Sequence, residues 1–538
     1  MSSLPPQPKS YNSVTDLHGA GATYRKGWVV QKFGGTSVGK FPENIVDDIV
    51  KVYSETNRVA VVCSARSSHT KSEGTTSRLL HSAELAESNG DFEKILRLIA
   101  TDHINNAKVR IQGQVIQNQL IADTNKELDH AKELLHACQV IGEISPRTLD
   151  HIMSIGEKLS CLFMAALMND RGVKAQYVDC SDVIPLDYDF SHGFDDRFYQ
   201  FLAIELGKKA LEVPDDCVPV ITGYFGVVPG GLLNGVGRGY TDLCAALVAV
   251  GVSADELQIW KEVDGIFTAD PRKVPNARLL ESVTPEEAAE LTYYGSEVIH
   301  PFTMEQVIKA KIPIRIKNVE NPQGQGTVIY PDNIGRRGES TPPHPPAALE
   351  AISPSYLNSL RKRRSATAIT AKSDIVVVNI HSNKKTLSHG FLAHIFTTLD
   401  RFKLVVDLIS TSEVHVSMAL SIGSDQEDKL KDAIKELRKM GTVDVTRDMA
   451  IISLVGKQMV NFIGIAGNMF KVLADERINI EMISQGANEI NISAVINAKD
   501  IISALVSIHA KLLEGPLEEV PSESASAVDV RLEALKLQ

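Results

Sequence analysis

Short, continuous apolar runs recur through the first 330 residues, and each leads through a polar loop into a helical pattern. Residues 59–63 form such a run, and after its loop Leu79, Leu80, Ala83 and Leu85 mark one face of a helix. Unbroken apolar runs indicate strands buried on both faces, and strand, loop and helix in succession indicate a parallel α/β sheet. The same rhythm recurs at residues 176–179, 218–223 and 256–260, while residues 91–175 read as mostly helical. The polar loops after these strands should gather at a ligand site.

The C-terminal part contains an internal repeat. Three segments of the first copy are followed by matching segments 74 to 76 residues later: 395–399 by 469–473, 404–410 by 478–484, and 413–417 by 489–493. Each copy reads strand, helix, strand, strand, helix, a small α+β unit of the split βαβ type. The pattern predicts two similar domains, at residues 373–449 and 450–517.

Composition shifts mark the remaining boundaries. Residues 1–26 are rich in Ser, Pro and Gly and are predicted to be a disordered tail. Residues 332–372 contain a proline cluster and a basic run, and are predicted to be a linker rather than a nuclear signal. The first domain therefore spans residues 27–331. Residues 518–538 form a C-terminal tail that could pack as a last strand or helix.

Charge and cysteine usage narrow the class of function. The chain has 538 residues, a formal net charge of −11 and a pI near 5.8, so no overall positive field recruits nucleic acid or a membrane surface. Its six cysteines show no C-x-x-C pairing, which favours reduced core thiols. No apolar run is long enough to span a bilayer, and the start lacks a signal pattern. We expect a cytoplasmic protein of three or four domains.

A strand running into a glycine turn, residues 28–40, is the first chemical motif. Adjacent Gly34 and Gly35 let backbone N–H groups approach an anion, and lysines flank them. The spacing nearly matches a P-loop, but Phe41 stands where a Ser or Thr should bind Mg²⁺, so a P-loop is rejected. An ordinary strand-to-helix turn is the alternative.

A second glycine-rich loop, residues 232–242, has the chemistry of an amino-acid site. Tyr240 breaks the dinucleotide pattern G-x-G-x-x-G. Arg238 is suited to a bidentate grip on a carboxylate and Asp242 to an ammonium group, and an α-amino acid offers both. A helix start capped by Thr241 is the structural alternative, but it does not need Arg238.

These motifs together resemble those of aspartate kinases, within the amino-acid kinase superfamily. Lys-Phe-Gly-Gly-Thr-Ser-Val at residues 32–38 is similar to the N-terminal signature of that family, and residues 238–242 are similar to its substrate motif. Residues 264–272 resemble its nucleotide segment. The chain departs from the commoner bacterial pattern at Lys261, Glu262 and Glu297, which puts their contacts with adenosine in question.

The resemblance implies a set of site residues. Lys32 would contact the transferring phosphoryl group, and Lys32, Arg238 and Asp242 would be catalytic. The implied substrate ligands are Ser64, Thr76, Glu157, Arg238 and Asp242. The implied nucleotide ligands are Lys32, Phe33, Gly34, Gly35, Ser37, Lys261, Glu262, Phe267, Asp270 and Arg272. ATP would arrive with Mg²⁺, for which no residue is named as a direct ligand.

The repeat resembles the tandem ACT domains of feedback-regulated enzymes. The implied architecture is an amino-acid kinase fold followed by two ferredoxin-like βαββαβ units. An amino-acid effector, with threonine expected, would bind near Gly464, Ile465, Ala466, Asn468, Gln485, Asn488 and Ile490, although the repeat could instead serve only to dimerise. The implied activity is conversion of L-aspartate to 4-phospho-L-aspartate, the first step toward threonine, methionine and isoleucine, by a homo-oligomer. Glutamate 5-kinase and a non-catalytic amino-acid sensor remain alternatives.

Overall fold

An eight-stranded sheet forms the centre of the N-terminal domain. The computed structural model describes residues 26–67, 74–185, 187–235, 239–293, 299–330, 366–382, 390–412, 415–423, 426–461, 463–486 and 490–514. The strands are β1 (Trp28–Phe33), β2 (Arg58–Cys63), β3 (Ala175–Val178), β4 (Val218–Thr222), β5 (Glu256–Lys261), β6 (Ser282–Val283), β7 (Ile314–Asn318) and β8 (Thr327–Ile329). Their order is β3-β4-β2-β1-β5-β7-β8-β6. Only β7 and β8 pair antiparallel among these neighbours, so the predicted parallel α/β sheet is confirmed.

Helices cover both faces of this sheet. They are α1 (Gly35–Lys40), α2 (Pro42–Asn44), a π-helical turn (Ile45–Val50), α3 (Lys51–Thr56), α4 (Thr75–Glu87), α5 (Glu93–Arg110), α6 (Gln114–Ile141), α7 (Pro146–Asp170), α8 (Asp196–Leu211), α9 (Leu232–Gly235), α10 (Tyr240–Gly251), α11 (Pro285–Tyr293) and α12 (Pro301–Lys309). One apolar cluster joins α8 and α10 to the sheet, and another joins α7 and the segment after α1 to its other face. The long helical stretch predicted between residues 91 and 175 is therefore confirmed.

Helix α7 is the one described helix whose length and composition would suffice to cross a membrane. In its most apolar window, 72% of the residues are buried inside the protein. Ser145 caps its N-terminus by accepting a hydrogen bond from the Thr148 N–H, and Pro146 occupies the first helical position. Burial of this kind is typical of the core helix of a globular domain.

The C-terminal part forms a separate antiparallel sheet of six strands. Its elements are β9 (Ala368–Ser382), α13 (Phe391–Arg401), β10 (Val406–Thr411), β11 (His415–Ser421), α14 (Glu427–Leu437), β12 (Gly441–Val455), a 3₁₀ turn (Lys457–Asn461), α15 (Ile465–Asp475), β13 (Met482–Ser484), β14 (Asn491–Asn497), a 3₁₀ turn (Ala498–Asp500), α16 (Ile501–Ile508) and a π-helical turn (His509–Leu513). The strand order is β10-β11-β9-β12-β14-β13.

The two repeats share their central strands, which the sequence did not reveal. Strands β9 and β12 are 15 residues long, and each passes through a residue with positive φ, Asp374 in β9 and Asp448 in β12. Beyond that bend, β9 pairs with β11 of the first repeat; before it, residues 368–372 pair only with the second half of β12. One strand of the second repeat, residues 368–372, therefore comes from the chain segment that precedes the first repeat. The linker predicted for residues 332–372 is wrong at its end, because residues 366–372 lie in this ordered structure; residues 331–365 lie outside the described ranges.

The second repeat also packs directly on the N-terminal domain. Ala269 and Val274, in the loop after β5, share one apolar cluster with Ile369 and the helices α15 and α16. Nearby, Glu287 of α11 is buried and accepts hydrogen bonds from the Thr367 hydroxyl at 2.7 Å and the Lys457 N–H at 2.9 Å. The second repeat and the N-terminal domain are therefore joined through apolar packing and a buried carboxylate.

Candidate active site

Lys32 lies near the C-terminal end of the central strand and is paired with Asp242. In β1 it lies opposite Val62 and Ile259 of the two neighbouring strands, so most of its side chain is buried. Its Nζ is 2.7 Å from Asp242 Oδ1, and the side chains are 11% and 16% exposed. Asp242 is the third residue of α10, where the helix N-terminus favours a negative charge. The predicted phosphate ligand and the predicted ammonium ligand thus meet as an ion pair.

The glycine turn after β1 leaves open space at Gly34. Gly34 is extended, with φ of −73°, and precedes α1; a Cβ there would meet nothing within 4 Å. At Gly35 a Cβ would lie 2.1 Å from the carbonyl oxygen of Ala65, so this residue must be glycine for the two loops to touch. A ligand can therefore approach the backbone at Gly34. The Phe33 side chain is fully buried and stacked on Trp260, so only its backbone is accessible to a nucleotide.

Glu157 is a buried carboxylate on α7 that faces the start of α10. One of its oxygens accepts a hydrogen bond from the Thr241 hydroxyl at 2.7 Å. Burial raises the pKa of Glu157 to about 7, while hydrogen bonds from Thr241, Tyr240 and the Tyr224 backbone, and the charge of Lys32, act in the opposite direction. Thr241 does not cap α10, since Gly239 holds that position. Its hydroxyl instead ties Glu157 to the residue next to Asp242.

The predicted nucleotide residues fall into two groups. Ser37 and Glu262 are brought together, with the Ser37 hydroxyl donating to Glu262 Oε1 at 2.7 Å, and Lys261 ends β5 beside them. Asp270 and Arg272 instead form an ion pair with each other at 3.0 Å, and the Arg272 side chain is 88% exposed.

The loop that carries Phe267 contacts the second repeat. Phe267 itself is half-buried and forms a bridge with Leu279. The next residue, Thr268, bonds to His509 of the second repeat, with 2.8 Å between Oγ1 and Nε2. Thr268, within the predicted nucleotide segment, is therefore part of the interface between the N-terminal domain and the second repeat.

Three predicted substrate ligands have different outcomes. Ser64 follows β2, is half-buried, and its N–H donates to the Phe33 carbonyl at 3.1 Å, so it adjoins the glycine turn. Thr76, in the first turn of α4, is exposed. Arg238 lies outside the described residues, and its role stays a prediction.

Comparisons with known proteins decide the family. The amino acid kinase family model matches residues 27–318. An aspartokinase of Candida albicans is 75% identical over 98% of both chains. The chain belongs to the aspartokinase family. The aspartokinase resemblance read from the motifs is thereby confirmed, and so is aspartate kinase activity.

Solved aspartokinases have the same fold. E. coli aspartokinase III in complex with aspartate and ADP is 26% identical, with a TM-score of 0.66 over 90% of this chain and 99% of that one. The same enzyme in complex with lysine and aspartate, in its T-state, is 25% identical, with a TM-score of 0.69 over the same shares. An ACT domain model matches residues 452–512 of this aspartokinase. The two-part architecture is confirmed.

Four of the predicted effector residues of this aspartokinase, Gly464, Ile465, Ala466 and Asn468, lie at the start of α15. Gly464 precedes that helix with φ of +88°, and Gly390 precedes α13 of the first repeat with φ of +89°, so the two turns are equivalent. The predicted effector residues other than Gly464 differ in burial. Ile465 is buried, Ala466 and Ile490 are half-buried, Asn468 and Gln485 are exposed, and Asn488 lies outside the described residues.

Several residues around the active site escaped the sequence reasoning. Arg66 and Asp102 form a 2.7 Å ion pair beside the Ser64 loop. Asp150, buried on α7, accepts a hydrogen bond from the Leu232 N–H at the start of the loop that leads to Arg238. The signal available in the sequence was an isolated charge inside an otherwise apolar or small-residue segment, which by itself does not reveal a distant partner.

Proposed function

We propose that this aspartokinase transfers the γ-phosphoryl group of ATP to the side-chain carboxylate of L-aspartate at the Lys32–Asp242 centre. The observation that carries the proposal is the ion pair itself, located where a central parallel strand ends beside an open glycine turn. In such sheets ligands bind at the carboxyl ends of strands. The ADP and aspartate of the E. coli enzyme's complex support the same pair of ligands here.

The ammonium group of Lys32 and the carboxylate of Asp242 carry the charges that could bind ATP and aspartate. The α-ammonium group of the substrate would pair with Asp242, and the γ-phosphate of ATP would pair with Lys32. The internal ion pair would thus be replaced by two ion pairs with the reactants. The exchange conserves charge in a region where both side chains are mostly buried. Leaving either charge unpaired there would be costly, which favours binding of both reactants together.

The chemistry requires positioning rather than a general base. The aspartate side chain has a pKa near 3.9 and is already ionised at pH 7. Its approach to the γ-phosphate brings two anions together, which at about 4 Å and an effective dielectric near 20 costs roughly 4 kcal/mol. Lys32 and the backbone N–H groups at Gly34 and Gly35 would offset this repulsion, as in other phosphoryl transfers.

The remaining substrate contacts follow from charge. Arg238 would hold the α-carboxylate, and Glu157 would join Asp242 at the α-ammonium group. Ser64, beside the turn, and Thr76 would add hydroxyl contacts. Because an ammonium ligand favours ionised Glu157, binding of aspartate should lower the raised pKa of that side chain.

ATP would lie along the glycine turn toward Ser37, Lys261 and Glu262. Mg²⁺ would neutralise the phosphates and would be held mainly by phosphate oxygens and water. Among the described residues no group of three or more His, Cys, Asp or Glu side chains is placed to hold a metal.

Regulation is proposed to act through the ACT repeats in a cytoplasmic homo-oligomer. The T-state complex of the E. coli enzyme contains lysine, and the ACT match in this chain supports an amino-acid effector. We expect threonine, which would place the enzyme at the first step toward threonine, methionine and isoleucine.

Trapping of the acyl phosphate by hydroxylamine tests the substrate and the effector together. With ATP and Mg²⁺, we expect hydroxamate from L-aspartate and none from L-glutamate, and we expect threonine to suppress it. Product from glutamate would favour a glutamate 5-kinase, and no product under any condition would favour an amino-acid sensor. Suppression by lysine or methionine but not threonine would refute the proposed effector alone.

A further inference from the structure

Residues 64–67, which follow β2, are held against the glycine turn through backbone atoms. The Ser67 N–H donates to the Gly35 carbonyl at 2.9 Å. A Cβ at Gly39 would lie 1.9 Å from the Ser67 carbonyl oxygen, and one at Gly35 would lie 2.1 Å from that of Ala65. Residues 35 and 39 must therefore be glycine, and a shift of either loop moves the other.

Arg66 lies in the middle of this contact and is only 5% exposed. Its Nη2 donates to Asp102 Oδ2 on α5 at 2.7 Å. Its backbone N–H donates to the Ser160 hydroxyl on α7 at 2.7 Å, and its carbonyl accepts from the Thr75 N–H at 3.1 Å. One residue thus fixes the loop to three helices, α4, α5 and α7.

The contact with Ser160 reaches the turn that carries Glu157. The Ser160 hydroxyl also donates to the Gly156 carbonyl at 3.0 Å. A Cβ at Gly156 would lie 3.0 Å from Ala65 Cβ, so this turn packs closely on the same loop. The arrangement links the phosphate-binding turn, the Ser64 loop and Glu157 through one residue.

The Asp102 carboxylate compensates the positive charges around Arg66. Asp102 Oδ2 also lies 3.5 Å from Arg78 Nη1, so a single carboxylate faces two guanidinium groups. Burial, with the charges of Arg66 and Arg78 adding to it, holds the pKa of His103 well below its ordinary value, so His103 is neutral at pH 7. Removing the Asp102 charge would leave two cations close together in a poorly solvated region.

We propose that Arg66 is a positioning residue for phosphoryl transfer. Paired with Asp102, it sets the distance between the phosphate-binding turn and the loop that holds the substrate. The inference rests on the proposed function, because it requires the glycine turn and the Ser64 loop to hold the two reactants. A displacement of about 1 Å between reactants can reduce turnover about a hundred-fold, so a residue that touches neither reactant can still control the rate.

The chain provides a control for Arg66 at the other end of β2, the strand that the Arg66 loop follows. Arg58 begins β2 at the opposite edge of the sheet, its side chain is 11% exposed against 6% for Arg66, and its Nη2 is likewise 2.7 Å from a carboxylate, that of Asp215. Arg66→Met and Arg58→Met therefore each remove one arginine–carboxylate pair, although Asp215 is 73% exposed against 36% for Asp102. Thermal unfolding of both variants measures the stability that each loses.

We expect Arg66→Met to lower kcat about ten- to a hundred-fold, with the KM for ATP changed less than about three-fold. Arg58→Met should stay within about two-fold of the parent in both quantities, and Arg66→Lys should recover part of kcat because it restores a charge opposite Asp102. A kcat for Arg66→Met equal to that of Arg58→Met, at similar stability, would overturn the proposal.

Two further variants keep the test decisive. If Arg66→Met does not fold, Asp102→Asn replaces it, and an unchanged kcat in that variant overturns the positioning role. Lys32→Ala examines the proposed site separately. An active Lys32→Ala refutes the site as a whole, whereas an inactive Lys32→Ala beside a normal Arg66→Met refutes only the role of Arg66.

Discussion

At the scale of single residues, the active site is built from buried ionisable groups, each of which is held by a polar partner. Lys32 meets Asp242, and Glu157 is hydrogen-bonded to Thr241, the residue next to Asp242. Lone buried charges would shift their pKa values or destabilise the fold. The pairs hold these groups in their working positions until ligands compete for them.

Glu157 should make the enzyme respond to pH near neutrality. Its pKa in the folded protein is about 7, above the ordinary 4.5, so its contribution to stability is complete below about pH 4.5 and is lost as the pH rises through 7. The ionised form, which binds an ammonium group, dominates above 7. We expect kcat/KM for aspartate to rise between pH 6 and 8, and this rise to be absent in Glu157→Gln. Parallel profiles for the two proteins would contradict the assigned role.

At the scale of elements, strand β9 serves both ACT repeats. Ile369, 1% exposed, lies in its first half and packs in the core of the second repeat and the kinase interface. Ile369→Ala should reduce the free energy of unfolding by about 2 to 5 kcal/mol through loss of burial and the cavity left behind. Val405→Ala is the control, because Val405 is 69% exposed. Equal denaturant midpoints for the two variants would show that residues 366–372 do not belong to this core.

Helix α11 is one of the elements that connect the ACT part to the kinase domain. Glu287 accepts hydrogen bonds from the second repeat on Oε1 and from the Thr284 N–H on Oε2, which an amide at this position cannot reproduce. We expect Glu287→Gln to leave kcat without effector within about two-fold and to raise the inhibitory effector concentration about five-fold or more. The neighbouring Glu286, in an exposed pair with Lys457, should tolerate Glu286→Gln. Equal inhibition curves for both variants would argue against this connection.

At the scale of the whole molecule, the sequence predicted those features that depend on neighbouring residues in the chain. The parallel strands and the tandem repeat followed from periodicity, and Lys32 and Asp242 were named as site residues from their motifs, but their contact with each other was not foreseen. The exchange of β9 between repeats did not, because pairing between residues 368 and 455 leaves no local signature. The same holds for Thr268 and His509, which are 241 residues apart. The alternative in which Thr241 caps α10 is wrong, and its actual partner, Glu157, could not be foreseen because it lies on another helix.

The most direct test of the account is the turnover of Lys32→Ala, measured by hydroxylamine trapping with ATP, Mg²⁺ and L-aspartate. Because Lys32 would supply the charge on the γ-phosphate, we expect kcat to fall by about two to three orders of magnitude, with circular dichroism and thermal midpoint close to those of the parent. Lys51→Ala, which removes an exposed lysine of α3, should remain fully active. A folded Lys32→Ala that keeps a tenth or more of the parent's kcat would contradict the central claim, that phosphoryl transfer takes place at the Lys32–Asp242 pair.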